Sequence, residues 1–177
     1  GTIDTITIAI EEGLLQPKAL GRIRMETPAG LIHAAYEMNA KKCESVRLTN
    51  VPSFLHSTEL TANCPELGEL VIDVSYGGNF YAIVDVQKNF KGLEHYTADK
   101  LIAYARELRK SINAKYKFIH PEDETINGCS HILWTGAVLD KTSTARNAVF
   151  YGDKAIDRSP CGTGTSARMA QWYAKGK

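Results

Sequence analysis

The sequence predicts an α+β fold, and three observations carry that prediction. From Gly21 to Val86 the pattern is mostly strand, Thr97 to Lys115 holds the one clear helical period, and a run of good helix formers follows Cys161. Taken in order, Ile6, Ile8 and Ile10 alternate with polar or small residues, which on its own reads as a strand. Arg22 to Glu26 alternates and is closed by the turn residues Thr27-Pro28-Ala29-Gly30. Leu31 to Met38 and Ser45 to Thr49 are further strands, followed by a loop at Asn50-Val51-Pro52. Leu70 to Tyr76 and Phe80 to Val86 flank Gly77-Gly78-Asn79, where the backbone either turns or comes close to another element. A plain turn is the simpler reading.

Thr97 suits an N-cap, with Asp99 in the first turn. Leu101, Ala105, Leu108 and Ile112 then fall on one face, while Arg106, Lys110 and Lys117 point to solvent. This is a scaffold helix without chemistry. Tyr116 to Asn127 is a polar loop, Ser130 to Thr135 a short strand and Lys141 to Arg146 another loop. Asn147 to Tyr151 is the strand that delivers the chain to Gly152 and the segment beyond it.

Composition narrows the function classes. A chain of 177 residues, 44% hydrophobic and 23% charged, can hold a good-sized core. A net charge of +1 leaves no basic excess for phosphates, so neither a nucleic-acid nor a membrane-surface partner is expected. No apolar run approaches the ~20 residues of a membrane span. No signal peptide is visible, although the chain opens at Gly1 rather than methionine. Cys43, Cys64, Cys129 and Cys161 form no C-x-x-C pair. No metal site is expected, and reduced thiols in a cytoplasmic protein are the default. No internal repeat and no linker marks a domain boundary.

The chemistry concentrates in Asp157-Arg158-Ser159-Pro160-Cys161-Gly162-Thr163-Gly164-Thr165-Ser166-Ala167. Here a glycine-rich turn passes into a helix whose first N–H groups lack intrahelical partners and whose dipole is positive at that end. Such a place binds anions and favours a thiolate, so it is expected to lower the Cys161 pKa. Asp157 stands four residues earlier. The combination suggests the wall of an active site whose substrate carries a carboxylate. The plainer readings are a buried structural thiol at Cys161, a helix cap at Gly162 and Thr163, and N-terminal capping by Asp157. A lone strand histidine such as His131 is, by itself, ordinarily structural.

This string resembles the second-cysteine motif of the proline racemase family, and within it the hydroxyproline-type members. The resemblance implies a diaminopimelate-epimerase-like fold: two lobes, each a mixed curled sheet around a central helix, with the active site between them. Gly1-Thr2-Ile3 resemble the tail of the family's Cys-Gly-His-Gly-Thr-Ile motif. That match turns residues 1–15 into a helix stopped near Gly13, although Asp4 stands where a glycine is usual. On this reading residues 1–15 are the helix segment of the first lobe and residues 16–177 the second lobe, ending in its central helix. The first catalytic cysteine would lie just before Gly1, so the chain is expected to be a fragment, inactive alone.

The implied activity is cofactor-independent inversion at C2 of 4-hydroxyproline. Removing a weakly acidic Cα proton and returning one to the other face needs a base and an acid on opposite sides, here two cysteines. Cys161 matches one of them. Gly162 and Thr163 would hold the substrate carboxylate through their N–H groups, with the Thr163 and Thr165 hydroxyls as further donors. Asp157 would meet the ring ammonium, and His131 and Tyr151 would line the pyrrolidine pocket, His131 serving the ring hydroxyl. Arg158 is expected to pack or form a salt bridge. Within the family, a 3-hydroxyproline dehydratase and a proline racemase are the alternatives. Outside that scheme stand a cysteine hydrolase and a non-catalytic ligand-binding lobe. The expected partners are the small-molecule substrate, hydroxyproline or proline, and a homodimer mate, although nothing in the pattern fixes the oligomeric state.

Overall fold

A computed structural model describes all 177 residues, Gly1 to Lys177. It divides into two compact units, Gly1–Val51 and Pro52–Lys177. This division lies elsewhere than the lobe boundary expected after Leu15.

In the first unit, helix α1 (Thr2–Glu11) packs on a three-stranded antiparallel sheet of β1 (Arg22–Thr27), β2 (Gly30–Asn39) and β3 (Lys42–Thr49). The alternation of Ile6, Ile8 and Ile10 does not make a strand. In the helix Ile6 is buried, whereas Ile3 and Ile8 are exposed, and the positive φ of Gly13 follows the last turn. The Glu11 carboxylate accepts from the Cys43 amide at 2.8 Å, tying helix to sheet. Along β2, Ile32, Ala34 and Tyr36 are buried at the period of two that a sheet with one covered face requires.

The second unit is a six-stranded mixed sheet in the order β4 (Phe54–Cys64), β5 (Gly68–Tyr76), β6 (Phe80–Val84), β7 (His131–Thr135), β8 (Asn147–Tyr151) and β9 (Ala155–Ile156). Every pair is antiparallel except β6 with β7. A parallel pair needs a long crossover, and α2 (Ala98–Lys115) lies within it. The apolar face expected for α2 is the buried one, with Leu101, Ala105, Leu108 and Ile112 all inside, and the Thr97 hydroxyl caps the Lys100 amide at 3.4 Å. Its polar face is not simply solvated. The Arg106 guanidinium donates to the Asp153 carbonyl at 2.5 Å, and Lys117 lies past the helix end.

In β6, Tyr81 and Ile83 alternate with Ala82 and Val84, and all four are at most 1% exposed. The sheet is therefore covered on both faces, which explains a continuous apolar run rather than an alternating one. Tyr81, Ile83, Leu133 and Val149 pack with Cys161 and Ala167, so α3 (Gly162–Ala174) covers one of those faces. No helix is long and apolar enough to cross a membrane.

Candidate active site

The second unit builds the site where β8 and β9 hand the chain to α3. Past Tyr151 the chain reverses through Gly152 and Asp153, which α2 holds from the side. Arg109 donates to the Gly152 carbonyl and pairs with the Asp153 carboxylate at 2.6 Å. The chain then pairs back on β8, and the Asp157 amide donates to the Val149 carbonyl at 2.8 Å. Two local bonds form the next corner. The Ser159 amide donates to Asp157 Oδ1 at 2.8 Å, and the Cys161 amide donates to Ser159 Oγ at 3.1 Å. They deliver Cys161 as the N-cap of α3 at φ 55°, ψ 81°. That left-handed conformation costs a non-glycine residue about 1 kcal/mol or more, and the surrounding bonds hold it there.

The thiol points inward, 7% exposed, among Tyr81, Ile83, Leu133, Val149 and Ala167. The glycine at 164 is what admits it. A Cβ at that position would sit 2.9 Å from Cys161 Sγ and 3.2 Å from the Tyr81 ring. The Tyr81 hydroxyl lies 3.6 Å from Sγ and 2.5 Å from Thr163 Oγ1. Parallel pairing of β6 with β7 aligns Tyr81 with His131, whose ring centroids are 4.8 Å apart.

The electrostatics differ from the sequence expectation at the central atom. Burial pushes the Cys161 thiol up, and the neighbouring Asp157 carboxylate adds to the rise. The Tyr81 hydroxyl and the Gly164 amide pull the other way and do not outweigh them. Position at a helix start thus does not make a thiolate here; the sulfur is held as a proton donor. For Asp157, burial favours the neutral acid, but the Ser159 hydroxyl and amide, the Cys161 side chain and His131 hold it below the usual carboxylate range. Burial lowers the His131 pKa, helped by Arg109 and opposed by Asp157, so the ring is neutral near pH 7. Ser130 Oγ lies 2.6 Å from its Nδ1, which leaves Nε2 for another partner.

Cys161, Asp157, His131 and Thr163 are thus brought together. Gly162 and Thr163 occupy the first two helical positions, and a Cβ added at Gly162 would meet nothing within 4 Å, so the approach to their N–H groups is open. The Thr163 hydroxyl is turned inward to Tyr81, and the Thr165 hydroxyl donates to the Pro160 carbonyl at 3.1 Å rather than facing a ligand. Tyr151 is 44% exposed, one register step past the Ile132–Phe150 pair and so beside His131, with no hydrogen bond to its hydroxyl. Arg158 is exposed and has no ion pair. Hollows of about 1150 Å³, between Leu15 and Thr49, and about 390 Å³, beside Arg146 and Arg168, are lined by neither Cys161 nor Asp157. No three His, Cys, Asp or Glu side chains gather where they could hold a metal.

Sequence reasoning missed Tyr81, and the turn it read at Gly77-Gly78 is there between β5 and β6, but Gly77 also meets α3. A Cβ on Gly77 would lie 2.2 Å from the Thr163 carbonyl oxygen and 2.6 Å from the Ala167 nitrogen. Close approach, rather than turning, is what requires a glycine there. Chemically the arrangement offers a buried acid with an ionised carboxylate against it, beside free N–H groups at a helix start.

Comparison with known proteins places the chain among relatives of known name. The family described as proline racemase matches residues 1–177. A 4-hydroxyproline 2-epimerase of Spirosoma linguale is 63% identical over the whole of this chain and 53% of its own length. One from Ancylobacter novellus is 58% identical over the same share. The crystal structure of a hydroxyproline epimerase from Agrobacterium vitis, with bound trans-4-hydroxy-L-proline, superposes with a TM-score of 0.84 at 31% identity, covering 99% of this chain and 51% of that one. The chain spans about half the length of these relatives.

Proposed function

The chain belongs to the proline racemase family, and from that premise we propose that the full-length protein containing it is a cofactor-independent epimerase inverting C2 of 4-hydroxyproline. It would convert trans-4-hydroxy-L-proline to cis-4-hydroxy-D-proline. The observation that carries the reading is the buried Cys161 thiol, held protonated at the open N-terminus of α3 with Asp157 against it. The 63% identity to an enzyme named for this reaction supports the substrate.

In this scheme the substrate carboxylate lies on the Gly162 and Thr163 N–H groups, where two unpaired donors and the positive helix end favour an anion. They also stabilise the charge that grows on the carboxylate side as the Cα proton leaves. Asp157 is ionised and meets the ring ammonium. His131, neutral, offers Nε2 to the ring hydroxyl, and Tyr151 lies next along the same edge. Cys161 delivers a proton to one face of Cα from its thiol and takes one back as thiolate in the reverse direction. The opposite face is served by a second cysteine supplied by the part of the protein outside this chain. One acid/base group cannot complete an inversion, so the 177-residue chain alone is inactive.

The test is chiral chromatography after incubation with trans-4-hydroxy-L-proline. The full-length protein forms cis-4-hydroxy-D-proline, whereas its Cys161→Ser variant and the isolated chain do not. Turnover by the Cys161→Ser variant would overturn the two-thiol scheme. A dehydrated product from 3-hydroxyproline, or equal rates on proline, would move the assignment to the dehydratase or the racemase.

A further inference from the structure

Tyr81 is 1% exposed at the start of β6 and touches both of the helix-start residues that carry the chemistry. Its hydroxyl has one proton and two neighbours able to take it, Cys161 Sγ at 3.6 Å and Thr163 Oγ1 at 2.5 Å. Asn79 approaches the same oxygen from its side chain. We propose that Tyr81 is a positioning residue for Cys161, directing its single hydroxyl proton to Sγ when the sulfur is a thiolate and to Thr163 Oγ1 when the sulfur is a thiol.

The geometry constrains the chain of donors. Two oxygens 2.5 Å apart must share a proton, so the Thr163–Tyr81 contact always has one donor and one acceptor. With a thiolate, Tyr81 donates to sulfur, and Thr163 therefore donates to Tyr81. With a thiol, Tyr81 donates to Thr163, and the Thr163 proton is released toward the open first turn of α3. No bond is made or broken; one row of hydroxyl protons reverses. An anion at the Gly162 and Thr163 amides gains a third donor only while Cys161 carries its proton. This last step rests on the proposed function, whereas the link from Tyr81 to sulfur does not.

The charged and titratable groups around the pair are few. His131 faces Tyr81 from β7, Asp157 faces Sγ from the preceding corner, and Arg109 of α2 acts on His131. Cys129, beneath His131, donates to the Phe80 and His131 carbonyls, and burial pushes its thiol up to about 12. The Tyr81 phenol itself is pushed well up by burial, so it remains a donor throughout. His131 and Asp157 both have lowered pKa values. Neither changes charge where the Cys161 thiol titrates, so a profile above pH 7 reports the sulfur.

The experiment is site-resolved alkylation of Cys161 by iodoacetamide against pH, read by peptide mass spectrometry on the full-length protein. Tyr81→Phe keeps the ring and removes the proton. Alkylation at pH 7 slows by about tenfold and the profile moves to higher pH, as loss of a hydrogen bond to a charged group requires. Site-specific 2,3-difluorotyrosine at position 81, a near-isosteric and more acidic donor, moves the profile to lower pH and decides the matter if the phenylalanine variant folds poorly. An unmoved profile in Tyr81→Phe, or a shift in the same direction with both substitutions, overturns the proposal. Alkylation needs no turnover. A shifted profile in a protein that does not epimerise hydroxyproline therefore sinks only the proposed function. Epimerisation with an unshifted profile sinks only the role of Tyr81.

Discussion

Replacing Gly77 with alanine tests how the site is held, because the added methyl meets backbone rather than a side chain that could swing away. The new Cβ would lie 2.2 Å from the Thr163 carbonyl oxygen, about 1.2 Å short of an ordinary 3.4 Å contact. It would also lie 2.6 Å from the Ala167 nitrogen and 3.1 Å from Ser166 Cβ. Neither backbone atom can rotate out of the way, so the β5–β6 hairpin and the first turn of α3 must move apart by roughly that distance. Overpacking of this kind costs about 1–3 kcal/mol. For a chain of this size each kcal/mol lowers the melting temperature by about 2–4 °C. The displaced turn carries Cys161 and the Gly162 and Thr163 amides, and a shift of about 1 Å in a reacting group costs on the order of 100-fold in rate. Circular dichroism melts of the 177-residue chain measure the first effect, and turnover of the full-length Gly77→Ala protein on trans-4-hydroxy-L-proline the second. An unchanged melting temperature together with unchanged turnover would refute the close-approach argument.

Two further outcomes follow from the same network. His131→Val in the full-length protein removes the partner proposed for a ring hydroxyl, a loss of about 1–3 kcal/mol. The preference for hydroxyproline over proline in kcat/KM should fall by about 5- to 150-fold; an unchanged ratio removes His131 from substrate recognition. For Asp73, burial favours the neutral acid, but Lys175, Gln171 and the Glu59 amide hold its pKa below the ordinary value. A carboxylate depressed on folding stabilises above its unfolded pKa, and that stability is lost as pH falls through the folded value. Asp73→Asn should therefore be less stable than the parent at pH 7, and urea midpoints should show the gap narrowing below about pH 5. A gap that stays constant down to pH 3 would contradict the assignment.

Elements whose pattern is local could be read from the sequence. The α2 face of Leu101, Ala105, Leu108 and Ile112 repeats at helical spacing and needs nothing beyond itself. Strand β4 was not delimited because its alternation is broken: the register with β5 shifts between Leu55 and Ser57 and again before Leu60, and Glu59 has φ 54°. The two-residue β9 carries no pattern at all. Within the site, Asp157, Cys161, Gly162 and Thr163 fall in one short stretch and were legible as one motif. Tyr81 was not, because it enters through a parallel pairing across fifty residues of chain to His131, and nothing near Phe80–Val84 announces that partner. The thiol pKa was misjudged for a related reason. The helix start is local and visible, whereas burial by Ile83, Leu133 and Val149 is tertiary, and burial wins.

Small residues make the contact of α3 with the sheet close but leave it underdetermined. Gly164 and Ala167 bury almost no side chain, and apolar contact has no direction, so packing alone would let the helix slide or roll. Directional bonds lower on the same helix remove that freedom. Arg168 donates to both oxygens of Asp85 at 2.9 and 2.6 Å, and Gln171 donates to Asp73 at 2.5 Å. Lys175 pairs with Asp73, whose other oxygen accepts the Glu59 amide at 3.0 Å. Residues 168, 171 and 175 share a face at the spacing of successive turns, so the three together fix both the rotation and the axial register of α3. The Gly162 amide lies nine residues before Gln171, or about 14 Å along the axis. A polar anchor that far away therefore sets where the Cys161 sulfur and the Gly162 and Thr163 amides stand.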